Sequence, residues 1–168
     1  MAVRYAKIED MELASKIKLD GWKDAYKGII SDDILQNLNY DENQKKFEAG
    51  FDEGFFCVCE NEEGEVVGFC KFGERQDVED EGHEEYDCEI ISLYVDPVNI
   101  GKGIGKQLFE FVLSELRNKN KKKVILWCFE KNISAKVFYE KMGGSLIGCK
   151  EQKIGAHIYI EVGFGYDL

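Results

Sequence analysis

The 168-residue chain is 44% hydrophobic and 12% aromatic with a formal net charge of -11. That balance excludes a disordered segment and predicts one domain over residues 1–168 with a full hydrophobic core. So large an acidic excess excludes a general nucleic-acid binder, which needs a basic face for phosphates, and favours a cationic partner such as an amine.

The first strand is predicted over residues 3–8, with Asp10 as cap of the following helix. Along that helix Leu13, Ile17, Trp22, Ala25 and Tyr26 recur near helical spacing, and Gly28 closes it. Ser31, Asp32 and Asp33 open a second helix, with the acidic residues set against the helix dipole. Asp41 and Gln44 make a loose capping box for a third helix that ends near Gly50. Residues 55–60 and 65–72 are β-rich runs around a hairpin turn, Asn61 to Gly64. Residues 74–87 are acidic. Asp77, Glu79, Asp80, Glu81, Glu84 and Glu85 form either a solvated loop or a device that steers a polyamine or basic peptide.

Residues 89–95 read as a strand ended by Asp96-Pro97. Residues 105–118 are helical, with Leu108, Val112 and Leu116 on one face. Another strand covers 123–129, and a helix over 133–142 stops at Gly143-Gly144. The tail, 145–164, gives two antiparallel strands around Lys153-Ile154-Gly155. The order β-α-α-β-β-β-α-β-α-β-β predicts an α/β (α+β) fold. Its sheet is mixed, mostly antiparallel and of about seven strands, flanked by helices, with one parallel crossover through the helix at Gly105.

No stretch has the length needed to span a bilayer, and the opening residues lack the apolar core of a secretory leader. The six cysteines (Cys57, Cys59, Cys70, Cys88, Cys128 and Cys149) are therefore expected as reduced thiols of a cytoplasmic protein, packed as small hydrophobes. No Cys-x-x-Cys pair or His-x₃-His completes a zinc set, so no metal is expected.

The segment Ile100-Gly101-Lys102-Gly103-Ile104-Gly105 lies between a strand and a helix. Glycines there permit positive φ and close approach of a ligand to bare backbone. The N–H groups at the helix start make an anion site suited to a pyrophosphate. A tight structural turn is the other reading of such a cluster. The P-loop spacing Gly-x₄-Gly-Lys-Ser/Thr is absent, and Gly101-x-Gly103-x-Gly105 does not fit the Gly-x-Gly-x-x-Gly of a dinucleotide-binding fold.

Gly103 and Gly105 do fit the two small positions of the motif Gln/Arg-x-x-Gly-x-Gly/Ala, which follows a strand ending near a proline. On this motif the chain resembles the GNAT superfamily of acetyl-CoA-dependent N-acetyltransferases. Ile100 stands where that family usually has Gln or Arg. The resemblance therefore implies that backbone amides from Ile100 through Gly101, Lys102, Gly103, Ile104 and Gly105 to Lys106 hold the pyrophosphate.

A second segment, Asn132-x-x-Ala135-x-x-Phe138-Tyr139-Glu140-Lys141-x-Gly143, resembles the family's later helix. It implies coenzyme A contacts from Asn132, Ala135, Phe138 and Tyr139, with the Tyr139 hydroxyl protonating the departing thiolate. Read without the resemblance, Asn132 is an ordinary helix cap and Tyr139 a half-buried aromatic.

Alternation puts Glu89 on the strand face of Ile91, Leu93 and Val95, where a carboxylate tends to titrate nearer neutrality and suits a general base. The resemblance gives Glu89 that role, acting directly or through water. It makes the Leu93 N–H the group that polarises the thioester carbonyl, and the backbone of Leu93, Tyr94 and Val95 the edge that pairs with the pantetheine arm. The other reading of Glu89 is a strand-end carboxylate in solvent.

Cys88 and Cys128 flank this region as alternative nucleophiles, with no histidine near them in the chain to activate either. Trp22 and Tyr26, four residues apart, are either helix core or an aromatic wall of the acceptor site. Lys119 and Lys121 to Lys123 form a solvated turn or reach a coenzyme phosphate.

The expected reaction moves an acetyl group from acetyl-CoA to a primary amine of a small molecule, polyamine-like or other, with no nucleic-acid or membrane partner. A peptide N-terminus or lysine side chain is the alternative acceptor. A non-catalytic coenzyme A sensor is the alternative of another class. The expected oligomeric state is monomer or homodimer.

Overall fold

The computed structural model describes residues 1–75 and 83–168. Asp77, Glu79, Asp80 and Glu81 of the acidic run, and with them its suggested steering role, lie outside the described residues. The strands are β1 (Ala2–Tyr5), β2 (Phe56–Glu60), β3 (Val66–Gly73), β4 (Cys88–Val95), β5 (Lys123–Phe129), β6 (Ser145–Ile154) and β7 (His157–Asp167). They form one seven-stranded sheet in the order β1-β2-β3-β4-β5-β7-β6.

The helices are α1 (Met11–Ala25), α2 (Asp32–Gln36), α3 (Tyr40–Ala49), α4 (Ile104–Asn118) and α5 (Ile133–Lys141). β1–β2, β2–β3, β5–β7 and β6–β7 pair antiparallel, and β4–β5 pairs parallel across α4. This is the mixed fold and the single crossover that the element order predicts. Among the described residues, no helix is long and apolar enough to cross a membrane.

The chain packs as two compact units. One comprises Met1–Phe72 and Ser92–Val112, the other Gly73–Ile91 and Leu113–Leu168.

In the first unit, Met11, Ala14 and Ile17 of α1 pack with Phe56, Val58, Val66 and Phe69 of the β2–β3 hairpin. Phe69 stacks on Phe56 at 5.3 Å and on Tyr94 at 5.7 Å, and takes Phe47 edge-on at 5.5 Å. The buried stripe of α1 thus runs through residues 11, 14 and 17, and Leu13 is exposed. Two residues past Met11, Leu13 sits about 200° around the helix, so the apolar spacing that includes it does not mark the core face.

β1 is shorter than expected because the chain turns at Ala6, whose N–H donates to Phe56 O, before a single 3₁₀ turn at Ile8–Asp10. Asp10 does not cap α1. Its carboxylate receives Arg4 Nη1 at 2.7 Å, Nη2 at 3.0 Å and the Lys7 N–H at 2.7 Å. Partial burial pulls the other way, yet these hydrogen bonds hold the Asp10 carboxyl below the usual carboxylate range. Arg4 also donates to Glu60, so one guanidinium joins β1, β2 and the entry to α1. For α3 the cap is Asn39, not Asp41, because the helix already starts at Tyr40; Asn39 Oδ1 accepts the Glu42 N–H at 3.0 Å.

In the second unit, β7 pairs with β5 over residues 161–167 and with β6 over residues 157–165. Val124, Ile125, Leu126, Phe164 and Tyr166 are buried there. Gly143, at φ 91°, closes α5, and the Gly144 N–H returns to Tyr139 O at 3.0 Å. Along α4, Leu108 and Val112 of the first unit and Leu116 of the second are fully buried, as their spacing predicts.

Candidate active site

After β4 the chain is shaped by Asp96. Its N–H donates to Val67 O at 2.9 Å, its carboxylate accepts the Val98 N–H at 3.3 Å, and its carbonyl accepts the Asn99 N–H at 2.8 Å. A 3₁₀ turn, Pro97–Asn99, leads into the glycines. Gly101 and Gly103 both take positive φ, 85° and 80°, and a Cβ at either would meet nothing within 4 Å. The turn therefore requires glycine-like backbone on one side and is open on the other.

Ile104 opens α4 and is buried, while Ile100 is 60% exposed. A Cβ at Gly68 would stand 3.0 Å from Ile104 Cγ2 and 3.1 Å from Leu108 Cδ1, so β3 and the first turn of α4 are in close contact. At this end the Gln107 N–H bonds to Gly103 O at 3.1 Å. The N–H groups before it lie outside the helical ladder, at the positive end of the dipole, which suits a bound pyrophosphate. Lys102 Nζ is held by Asn99 Oδ1 at 2.7 Å, and Lys106 is an exposed partner of Glu110.

Replacing Gly103 by Val puts a β-branched residue at positive φ, which costs about 1–2 kcal/mol, and fills the open side of the turn. The expected result is an increase of about tenfold or more in the Kd for acetyl-CoA, measured by calorimetry.

Pairing of β4 with β5 uses Cys88, Glu89 and Ile90. Leu93, Tyr94 and Val95 lie beyond it and are half-buried. The Tyr94 hydroxyl receives Trp22 Nε1 at 2.9 Å and hydrogen-bonds the Tyr26 hydroxyl at 3.0 Å. Trp22 and Tyr26 meet edge to face at 5.4 Å, both half-buried. They are thus not members of the α1 core stripe but part of a polar aromatic cluster beside the Leu93–Val95 edge. Sequence reasoning used only the backbone of Tyr94 and missed this hydroxyl.

It also missed Lys18, whose ammonium lies 5.9 Å from the Trp22 ring and 5.5 Å from that of Phe47. The signal was available: Lys18, Trp22 and Tyr26 repeat every four residues along one helical face.

In the second unit Glu89 is 8% exposed, between the buried Cys88 and Ile90, which removes the reading of a solvated strand-end carboxylate. Asn132 caps α5, with Oδ1 accepting the Ala135 N–H at 3.2 Å and the Ser134 hydroxyl at 2.9 Å. That engages its oxygen and leaves its amide N–H₂ as the group able to donate to a ligand. Tyr139 is 9% exposed, between Phe138 at 5.2 Å and Phe164 at 5.9 Å, and its carbonyl accepts the Tyr166 hydroxyl. Ala135 and Phe138 are half-buried on the same helix.

Burial pushes the Cys88 and Cys128 thiols up to about 12, with the Asp87 and Glu161 carboxylates adding to the rise. Both are protonated near neutrality, which counts against the two-step route through a cysteine. Lys121 Nζ donates to Asp87 O, and the Lys122 and Lys123 N–H groups bind the Asp87 carboxylate, which gives the basic turn a structural task. Among the described residues, no group of three or more His, Cys, Asp or Glu is placed to hold a metal ion.

A glycine turn opening the crossover helix of such a sheet is the arrangement of coenzyme A-dependent acyltransferases, and that is the class this fold defines. Residues 21–144 match the model of the acetyltransferase (GNAT) family, and the chain belongs to that family. It is an N-acetyltransferase by family, with acetyl-CoA as cosubstrate.

The chain is 31% identical to the N-acetyltransferase YuaI of Bacillus subtilis (strain 168) over 99% of its own length and 92% of that protein's. Among solved structures it is similar to a GCN5-related N-acetyltransferase from Rhodopseudomonas palustris, with a TM-score of 0.78 at 17% identity, covering 99% and 95% of the two chains. It is also similar to the PaiA N-acetyltransferase of Thermoplasma acidophilum in complex with coenzyme A, with a TM-score of 0.70 at 19% identity, covering 99% and 98%. At such identities these likenesses concern the fold.

Proposed function

We propose that the protein transfers an acetyl group from acetyl-CoA to the primary amine of a small molecule by direct attack, without an acyl-enzyme. The observation that carries this reading is the open turn of Gly101 and Gly103 ahead of α4, the place for the coenzyme's pyrophosphate. The amide N–H₂ of Asn132 and the neighbouring Ala135 and Phe138 add contacts to the coenzyme, and the Leu93–Val95 edge takes the pantetheine arm as an added strand.

In the reaction, the Glu89 carboxylate removes a proton from the ammonium of the acceptor, directly or through water. The neutral amine attacks the thioester carbon, and the Leu93 N–H donates to the oxygen as it becomes negative. As the C–S bond breaks, the thiolate takes a proton from the Tyr139 hydroxyl, the second proton on nitrogen passes through water to restore that hydroxyl, and Glu89 releases the first proton to solvent. The buried thiols fit work in a reducing compartment such as the cytoplasm.

The test is thiol release from acetyl-CoA with a panel of amines that includes small-molecule amines, polyamines and peptide N-termini. Stimulation by small amines supports the proposal. Stimulation by peptides alone moves the acceptor to protein. Coenzyme binding with no stimulation by any amine leaves the sensor reading. Tyr139→Phe is expected to lower kcat by about tenfold to a hundredfold with acetyl-CoA affinity within twofold of wild type. An unchanged kcat removes Tyr139 from the mechanism.

A further inference from the structure

The aromatic cluster on α1 contains one charge that the reaction does not use. Lys18 is half-buried, its ammonium set over the rings of Trp22 at 5.9 Å and Phe47 at 5.5 Å. Among the described residues no carboxylate pairs with it. The cations nearest in effect are already engaged: Lys46 pairs with Glu42 at 2.6 Å, and Lys71 donates to Gly50 O at 3.4 Å. Among the described residues Lys18 therefore brings a positive charge without a carboxylate partner to a partly dry place beside two aromatic rings. One helical turn on, Trp22 binds the hydroxyl of Tyr94, the neighbour of Leu93.

Burial, with Lys71 and Lys46 as like charges, holds the Lys18 ammonium below the ordinary lysine range. An apolar residue of the same length would fill this place without that cost. The two rings offset part of that cost, and an anion that arrives with a ligand would offset the rest.

We propose that Lys18 is the counter-charge for a carboxylate on the acceptor, so that the acceptor amine belongs to the amino acids and amino-acid-like compounds rather than the polyamines. A polycation would meet Lys18, Lys46 and Lys71 as like charges. This inference rests on the acetyltransferase reading for its acceptor, and it names a specificity-determining contact rather than a catalytic one.

Two measurements test it. In the first, N-acetylated amino acids and their carboxamides are titrated by calorimetry into the coenzyme A-bound protein, in wild type, Lys18→Met and Lys18→Arg. The acids are expected to bind about tenfold tighter than the amides in wild type and within twofold of them in K18M, while K18R keeps most of the preference. The Tm of K18M is expected to equal or exceed that of wild type, since a desolvated charge has been removed.

In the second, thiol release is measured with free amino acids, their amides and the corresponding decarboxylated amines. The acids are expected to have the highest kcat/KM, and that advantage to collapse in K18M. An acid-to-amide binding ratio near one in wild type, a ratio unchanged in K18M, or no binding of any acid overturns the proposal. Turnover of amines with no carboxylate preference leaves the acetyltransferase reading standing and removes this one. Preferential binding of acids that is lost in K18M, without turnover of any amine, removes the acetyltransferase reading and keeps Lys18 only as a carboxylate-binding residue.

Discussion

Replacing Glu89 by Gln is expected to lower kcat by about 10²- to 10⁴-fold, the range by which a positioned general base accelerates proton transfer. The change keeps the shape of the side chain and removes its ability to take a proton. Glu89 is buried at the start of β4 between Cys88 and Ile90, so solvent does not readily replace it. The coenzyme is held elsewhere in the proposal, and acetyl-CoA affinity is expected to stay within about twofold. In wild type the acidic limb of the pH–rate profile reports the base. Loss of that limb in the variant assigns it to Glu89, and an unaltered profile rules Glu89 out as the base.

The second large effect concerns stability. Phe69 is fully buried and touches three other rings, Phe47, Phe56 and Tyr94. Truncation to Ala leaves a cavity where four aromatic side chains now converge, and a cost of about 3–5 kcal/mol is expected, read as a lower urea midpoint with an unchanged slope. That is a large part of a small domain's stability. Because Tyr94 is the ring that stacks on Phe69, the loss also loosens the anchor of Trp22 and Tyr26. KM for the acceptor is then expected to rise even under conditions where the variant is folded. A midpoint within 1 M of wild type would show that the neighbouring rings close the gap.

Features set within one element were legible in the chain. The 3.6-residue stripe of α4, Leu108 to Leu116, was readable because one face of one helix meets one core. The turn at Gly101 and Gly103 was readable because positive φ restricts residue type so strongly.

Other features were set by partners distant in sequence. Asp10 has every property of a helix cap, but Arg4 and the Lys7 N–H take its oxygens. Leu13 has the right spacing from Ile17, but the core face is set by Met11 and Ala14 against the β2–β3 hairpin. Glu89 could be placed on an apolar strand face but not buried, since burial depends on what packs over the face. The helical face that Lys18 shares with Trp22 and Tyr26 was readable, but the burial of its charge was not, for the same reason. Its surroundings come from Phe47, Lys46 and Lys71, which only the fold brings near α1.

The placement of the cysteines has a practical consequence for every turnover measurement on this enzyme. Cys57, Cys59, Cys70 and Cys88 are buried, Cys128 is half-buried and stays protonated near neutrality, and Cys149 is the exposed thiol on β6. A disulfide or maleimide dye that titrates released coenzyme A will therefore also consume about one equivalent of native protein promptly. The other five sulfhydryls are expected to react only as the chain opens, so slow dye uptake beyond the first equivalent reports unfolding rather than acetyl transfer. Changing Cys149 to Ser removes the prompt background and leaves a chain whose prompt dye signal belongs to the coenzyme alone.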